Sequence, residues 1–139
     1  MYEYKCEVTR VVDGDTIDVI ADLGFSILHK CRVRLYGIDT PESRTRDLDE
    51  KARGKLAASF LQNSINNGKE IILKSELKDS KGKYGRVLGT ILVDGLDVNQ
   101  DMVNRCLAVK YYGQSKQDIE EEHLKNRDIL IKEGVYSPN

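Results

Sequence analysis

The sequence has no tryptophan, two phenylalanines and two prolines among its 139 residues. So little proline, with no low-complexity run, excludes a collagen-like or linker-dominated chain. No stretch approaches the ~20 apolar residues that a membrane-spanning helix needs. Charge of one sign is also missing: 22 Lys and Arg stand against 23 Asp and Glu, a net −1. A strongly basic balance would point to nucleic acid. Here such a reading has to come from where individual charges sit. Cysteine is sparse. Cys6, Cys31 and Cys106 are odd in number and widely spaced, which fits neither a disulfide framework nor a zinc site. They read as buried small hydrophobes. The start, Met-Tyr-Glu-Tyr-Lys-Cys-Glu, lacks the apolar stretch of a signal peptide. The expected location is cytoplasmic or otherwise soluble, with secretion of a trimmed precursor left open. What is present, 40% hydrophobic and 32% charged residues, suits one globular domain over residues 1–139.

Periodicity places the elements. Cys6–Val12 is rich in β-branched residues and stops at Asp13-Gly14, a turn signal. Thr16–Ile20 alternates polar and apolar, and Asp22-Leu23-Gly24 marks a second turn. His29–Tyr36 alternates again, with Cys31, Val33 and Leu35 on one face and Arg32 and Arg34 on the expected solvent face. Residues 37–46 read as loop. Asp47 with Glu50 three residues on forms a capping box. It opens a helix carrying Leu56, Ala57, Phe60, Leu61 and Ile65, with Gly68 as expected C-cap. Strands are expected at Glu70–Leu73 and Val87–Val93. A short helix should start near Asp97 or Asn99, and a last one should cover Lys116 to Glu133 with Ile119, His123, Leu124, Leu130 and Ile131 at helical spacing. A five-stranded meander interrupted by a helix after its third strand is the OB arrangement. The expected class is α+β, a five-stranded OB-fold barrel with three helices.

Three groups carry chemistry. Asp13-Gly14-Asp15-Thr16 puts two carboxylates on a turn, where they serve either a hairpin or a hard cation. Asp39-Thr40-Pro41-Glu42 projects two carboxylates and a hydroxyl past a strand end, stiffened by the proline. Lys74–Arg86 holds five basic and two acidic residues, net +3, with glycines that let backbone approach a phosphate. Arginine forks match phosphate oxygens. The predicted topology gathers Asp15, Arg34, Asp39, Glu42 and Arg86 at one barrel mouth. Such a cluster suits metal-assisted phosphoryl transfer.

These strings resemble the staphylococcal nuclease-like thermonucleases. The matches are Val12-Asp13-Gly14-Asp15-Thr16, Arg34 through Glu42, Asp79 with Lys83-Tyr84-Gly85-Arg86, Val98-Asn99, Cys106-Leu107-Ala108, His123-Leu124 and Gly134 to Ser137. They run in order along nearly the whole chain. The resemblance implies Ca²⁺ bound by the carboxylates of Asp15 and Asp39 and the backbone carbonyl of Thr40. It implies that Glu42 orients or deprotonates the attacking water, and that Arg34 and Arg86 bind the scissile phosphate and stabilise the transition state. Lys83 and Tyr84 would contact a terminal phosphate, with Tyr112 near the nucleotide. The implied substrates are DNA and RNA, cleaved with little sequence preference to leave 3′-phosphate ends, by a monomer without membrane contact. The chain departs from the basic character of many members. Its Tyr111-Tyr112 pair is shifted against the family's tyrosines, so either could fill that place. The basic loop Ser43–Lys55 is either a solvated loop or a nucleic-acid contact. Two other readings are a non-catalytic binding module of the same fold, and a calcium- or sugar-binding OB barrel. The retained Asp15, Arg34, Asp39, Glu42 and Arg86 argue against the first, and the arginine pair with the Lys83-Tyr84-Gly85-Arg86 string argues against the second.

Overall fold

The computed structural model describes residues 2–76 and 86–138. Three strands lead, β1 (Glu3–Asp13), β2 (Thr16–Asp22) and β3 (Leu28–Leu35). Then come β4 (Ile38–Asp39), α1 (Leu48–Asn66), β5 (Ile71–Ser75), β6 (Arg86–Val93), β7 (Leu96–Asp97), α2 (Val98–Asn104), β8 (Val109–Lys110) and α3 (Lys116–Lys132). The main sheet runs β3-β2-β1-β5-β6-β7, and β3 also pairs with β6 in parallel. That pairing closes five strands into a mixed barrel with three helices, the expected OB-fold. The two-residue strands β4, β7 and β8 were not anticipated. Among the described residues no helix is long and apolar enough to cross a membrane.

The barrel closes because β1 serves two neighbours. Its register with β2 shifts between Val8 and Arg10 and again between Val11 and Asp13. Such bulges bend and twist a strand. Cys6–Asp13 therefore lies against β2 while Glu3, Tyr4 and Lys5 pair with β5. Alternation sends Ile17, Val19, Val33, Leu35, Leu73 and Ile91 inward, where Ala57 and Leu61 of α1 and Val98 and Met102 of α2 close the core. Each large side chain so buried contributes about 1.5–3 kcal/mol. The cysteines are free and half-buried at the rim of this core rather than fully inside it. Burial, and then the neighbouring Cys31, pushes the Cys6 thiol up to about 11.

Asp47 caps α1 as expected, accepting from the backbone N–H groups of Asp49 and Glu50. The capping box is only half formed. Glu50 Oε2 accepts from the Glu42 N–H at 3.1 Å, while the Asp47 N–H goes to Thr45 Oγ1. The C-cap is Asn67, one residue before Gly68.

Buried Asn99 locks α2 to the barrel. Its Oδ1 accepts from Ile91 N–H at 3.2 Å, and its Nδ2 donates to the carbonyls of Tyr36 and Gly89 at 3.0 and 3.2 Å. Truncation takes this partner from the buried Ile91 N–H and from the Tyr36 carbonyl, while the Gly89 carbonyl keeps the Tyr36 N–H at 2.8 Å; each group left unpaired costs about 1–3 kcal/mol. Asn99→Ala is expected to lower stability by about 3 kcal/mol, measured by urea unfolding.

Candidate active site

Three chain segments converge at one end of the barrel. The Gly14-Asp15 turn joins β1 to β2, β3 ends at Leu35, and β4 runs into Thr40. Thr16 pairs with Arg34, and the Leu35 N–H donates to the Asp15 carbonyl at 2.8 Å. The turn is thereby fixed beside the end of β3. Gly14 is required by space: a Cβ there would lie 2.9 Å from Ala57 Cβ and 3.0 Å from Thr40 Oγ1. β4 is held by β8, with Asp39 opposite Val109.

The Arg34 guanidinium spans two carboxylates. Nη1 lies 2.9 Å from Asp15 Oδ2, and Nη2 lies 3.4 Å from Asp39 Oδ1. Asp15, 8% exposed, also accepts from Thr16 Oγ1 and from the Thr40 N–H. Thr40 is buried, and its Oγ1 has no partner among the described residues. His123 Nε2 lies 2.8 Å from Asp39 Oδ2.

Glu42 stands on the rim, exposed. Its backbone is gripped from α1 in two ways. Glu50 accepts its N–H. Gly54 lets the helix lie directly on it, since a Cβ at Gly54 would come within 2.6 Å of the Glu42 carbonyl carbon and 2.7 Å of the Pro41 oxygen. The Glu42 carboxyl is raised above the usual carboxylate range. Desolvation is the first cause, followed by the negative charges of Asp13, Asp15, Asp39 and Glu50.

Arg32 does not join Arg34; it forms a fork on Asp18 at 2.8 and 3.2 Å on the outer surface. Arg86 opens β6, its backbone in register with Arg32. Lys83 and Tyr84 lie outside the described residues. Tyr112, 82% exposed, lines an open groove of about 450 Å³ with Asp118, Glu121 and Glu122 of α3. Of the basic loop, Arg44 and Arg46 are exposed. Arg53 is instead buried in α1, 3.5 Å from Asp49. Asp49 also meets Arg127 at 3.4 Å and the Tyr136 hydroxyl. Burial opposes its ionisation, yet these partners hold its carboxyl below the usual range.

The donors at the mouth are oxygens. Among the described residues no three His, Cys, Asp or Glu side chains converge as a metal cage. The expected set is smaller: two carboxylates and one backbone carbonyl.

A family model described as staphylococcal nuclease homologue matches residues 32–133. The chain belongs to the staphylococcal nuclease family. The match takes in Arg34, Asp39, Glu42 and Arg86, while Asp15 precedes it. Endonuclease YhcR of Bacillus subtilis is 36% identical over 118 residues, covering 79% of this chain and 9% of the relative. Endonuclease YncB of the same organism is 31% identical over 137 residues, 92% of this chain and 62% of its own length. A protein named uncharacterized endonuclease from Escherichia coli is 33% identical over 131 residues, 94% of this chain and 75% of its own length. This nuclease-family chain thus spans less than two thirds of both Bacillus relatives.

The raised Glu42 carboxyl keeps its proton to higher pH than an ordinary glutamate. In metal-free protein, carbon-detected NMR is expected to show Glu42 titrating above the usual ~4.3.

Proposed function

We propose that this chain is a calcium-dependent phosphodiesterase that hydrolyses DNA and RNA with little sequence preference. It breaks the P–O5′ bond and leaves 3′-phosphate ends. The observation that carries this reading is the Arg34 guanidinium held between Asp15 and Asp39, with Glu42 on the adjacent rim, in a staphylococcal nuclease homologue. The endonuclease names of its relatives support it.

The donors fit the implied cation. Asp15 and Asp39 would offer carboxylate oxygens and Thr40 its backbone carbonyl, and Ca²⁺ takes oxygen ligands. The partnerless, buried Thr40 Oγ1 adds another oxygen nearby. Bound calcium would supply positive charge beside the scissile phosphate and polarise it. Glu42 orients the attacking water and takes its proton, and the raised carboxyl is a stronger base than an ordinary glutamate. Arg34 has five N–H donors. Its contacts to Asp15 and Asp39 aim the fork and leave donors for a phosphate oxygen. Arg34 and Arg86 stabilise the added charge on phosphorus as the 5′-oxygen leaves. Lys83, Tyr84 and Tyr112 are proposed to bind the nucleotide.

The test is digestion of double-stranded DNA, single-stranded DNA and RNA with Ca²⁺, Mg²⁺ and EDTA in parallel. Cleavage is expected in calcium and none in chelator. Glu42→Ala and Arg34→Ala should each lose on the order of 10²-fold or more in kcat. Full activity in Glu42→Ala would sink the assignment.

Gly54→Ala probes the scaffold beneath Glu42. The added methyl must displace the Pro41–Glu42 backbone, and a misplacement of about 1 Å can cost 10²-fold in rate. The loss in kcat is expected to exceed what the change in Tm implies.

With a net charge of −1, long-range attraction to a polyanion is weak. The slope of log KM against log salt should be shallower than for a strongly basic nuclease. Steady-state assays from low to high salt measure it.

A further inference from the structure

His123 belongs to no motif role named above, yet its side chain is only 12% exposed and its Nε2 sits 2.8 Å from Asp39 Oδ2. An ionised carboxylate only accepts hydrogen bonds, so Nε2 carries the proton. Asp39 is then held at both oxygens, with Arg34 on Oδ1 and His123 on Oδ2. Each carboxylate oxygen can accept more than once, so this grip fixes the carboxylate plane without using up its lone pairs.

The rest of α3 is arranged to bring His123 there. His123, Asn126, Arg127 and Leu130 share one helix face. Asn126 Nδ2 donates to the Ala108 carbonyl at 3.2 Å, beside β8, the strand that pairs with β4. Arg127 reaches Asp49 in the first turn of α1, and Leu130 is buried in the core. The chain returns after α3 so that the Tyr136 hydroxyl also meets Asp49. A helix tied to β8 and to α1 can deliver a side chain to Asp39 with little play, across 84 residues of sequence.

We propose that His123 is a positioning residue that sets the orientation of Asp39 for calcium. This rests on the reading of Asp39 as a calcium ligand. Hydrogen-bond partners of ligating carboxylates commonly change metal affinity by about 10–100-fold when removed. Purely structural packing would lower stability without singling out calcium.

The experiment is isothermal titration calorimetry of Ca²⁺ into wild type, His123→Leu, His123→Gln and His123→Asn at one pH, with metal-free Tm and kcat and KM measured alongside. His123→Leu should bind calcium about 10–100-fold more weakly. Its metal-free Tm should stay close to wild type. His123→Gln keeps an N–H near the Nε2 position and should recover most of the affinity. Asn is too short and should behave like Leu, which preserves the comparison if His123→Leu does not fold. Equal calcium affinity in wild type and His123→Leu would overturn the proposal alone, as would equal losses in Gln, Asn and Leu. Wild type that takes up no calcium would overturn the metal reading, and this proposal with it.

Discussion

Like charges repel at short range, and one end of this barrel gathers five carboxylates. Asp13, Asp15, Asp39 and Glu50 all act on Glu42. Arg34 answers for two of them at once, and His123 takes the far oxygen of Asp39. Glu42 is left with the residue of that repulsion, which with desolvation raises its carboxyl. A phosphodiester is itself anionic. It can approach such a mouth only if added positive charge turns the local field, which is the physical reason for reading a cation into the proposed mechanism.

The backbone makes this crowding possible by leaving almost no freedom around it. Pairing of Thr16 with Arg34 places Asp15 and Arg34 on adjoining strand ends. A slip of one residue would turn Arg34 into the core and Val33 or Leu35 toward solvent. The buried pair Val33 and Leu35 therefore fixes where the guanidinium points. On the other side, α1 closes down through glycine and through Glu50. The Asp49 cluster, with Arg53, Arg127 and Tyr136, holds the first turn of α1 against α3. The same residues that finish the fold thus restrain the site.

What could be read from the chain alone follows from this division. Alternation in β2 and β3, the Asp13-Gly14 turn and the Asp47 cap are local signals, and each appears where its pattern predicts. The gathering of Asp15, Arg34 and Asp39 at one end of the barrel follows from those signals, and the structure brings the three into contact. The rest depends on contacts distant in sequence. β4 and β8 are two residues each, too short to show a period. The inward face of α3 is mostly polar, with His123, Asn126 and Arg127, so hydrophobic spacing described it poorly and Leu124, expected inside, is exposed. Arg53 reads as part of a solvated or nucleic-acid-binding loop because only Asp49, four residues away, is local to it, and nothing in the sequence announces that Arg127 meets the same carboxylate. Glu50 has the spacing of a capping box, and spacing does not record that its carboxylate turns to Glu42 instead.

The net charge of −1 now has a spatial meaning. Part of the acid that cancels the arginines is Asp15 and Asp39, each in contact with Arg34 at the mouth. Another part lies on α3, where Asp118, Glu121 and Glu122 line the groove beside Tyr112. At physiological salt a charge is felt over about 8 Å. The three carboxylates there work against a long polyanion track along that groove. In the proposed nuclease, such a field favours grip on a few phosphates close to the scissile bond over a long basic track. Recognition confined to backbone phosphates carries no base information, which is consistent with the proposed substrate range, in which sequence is ignored.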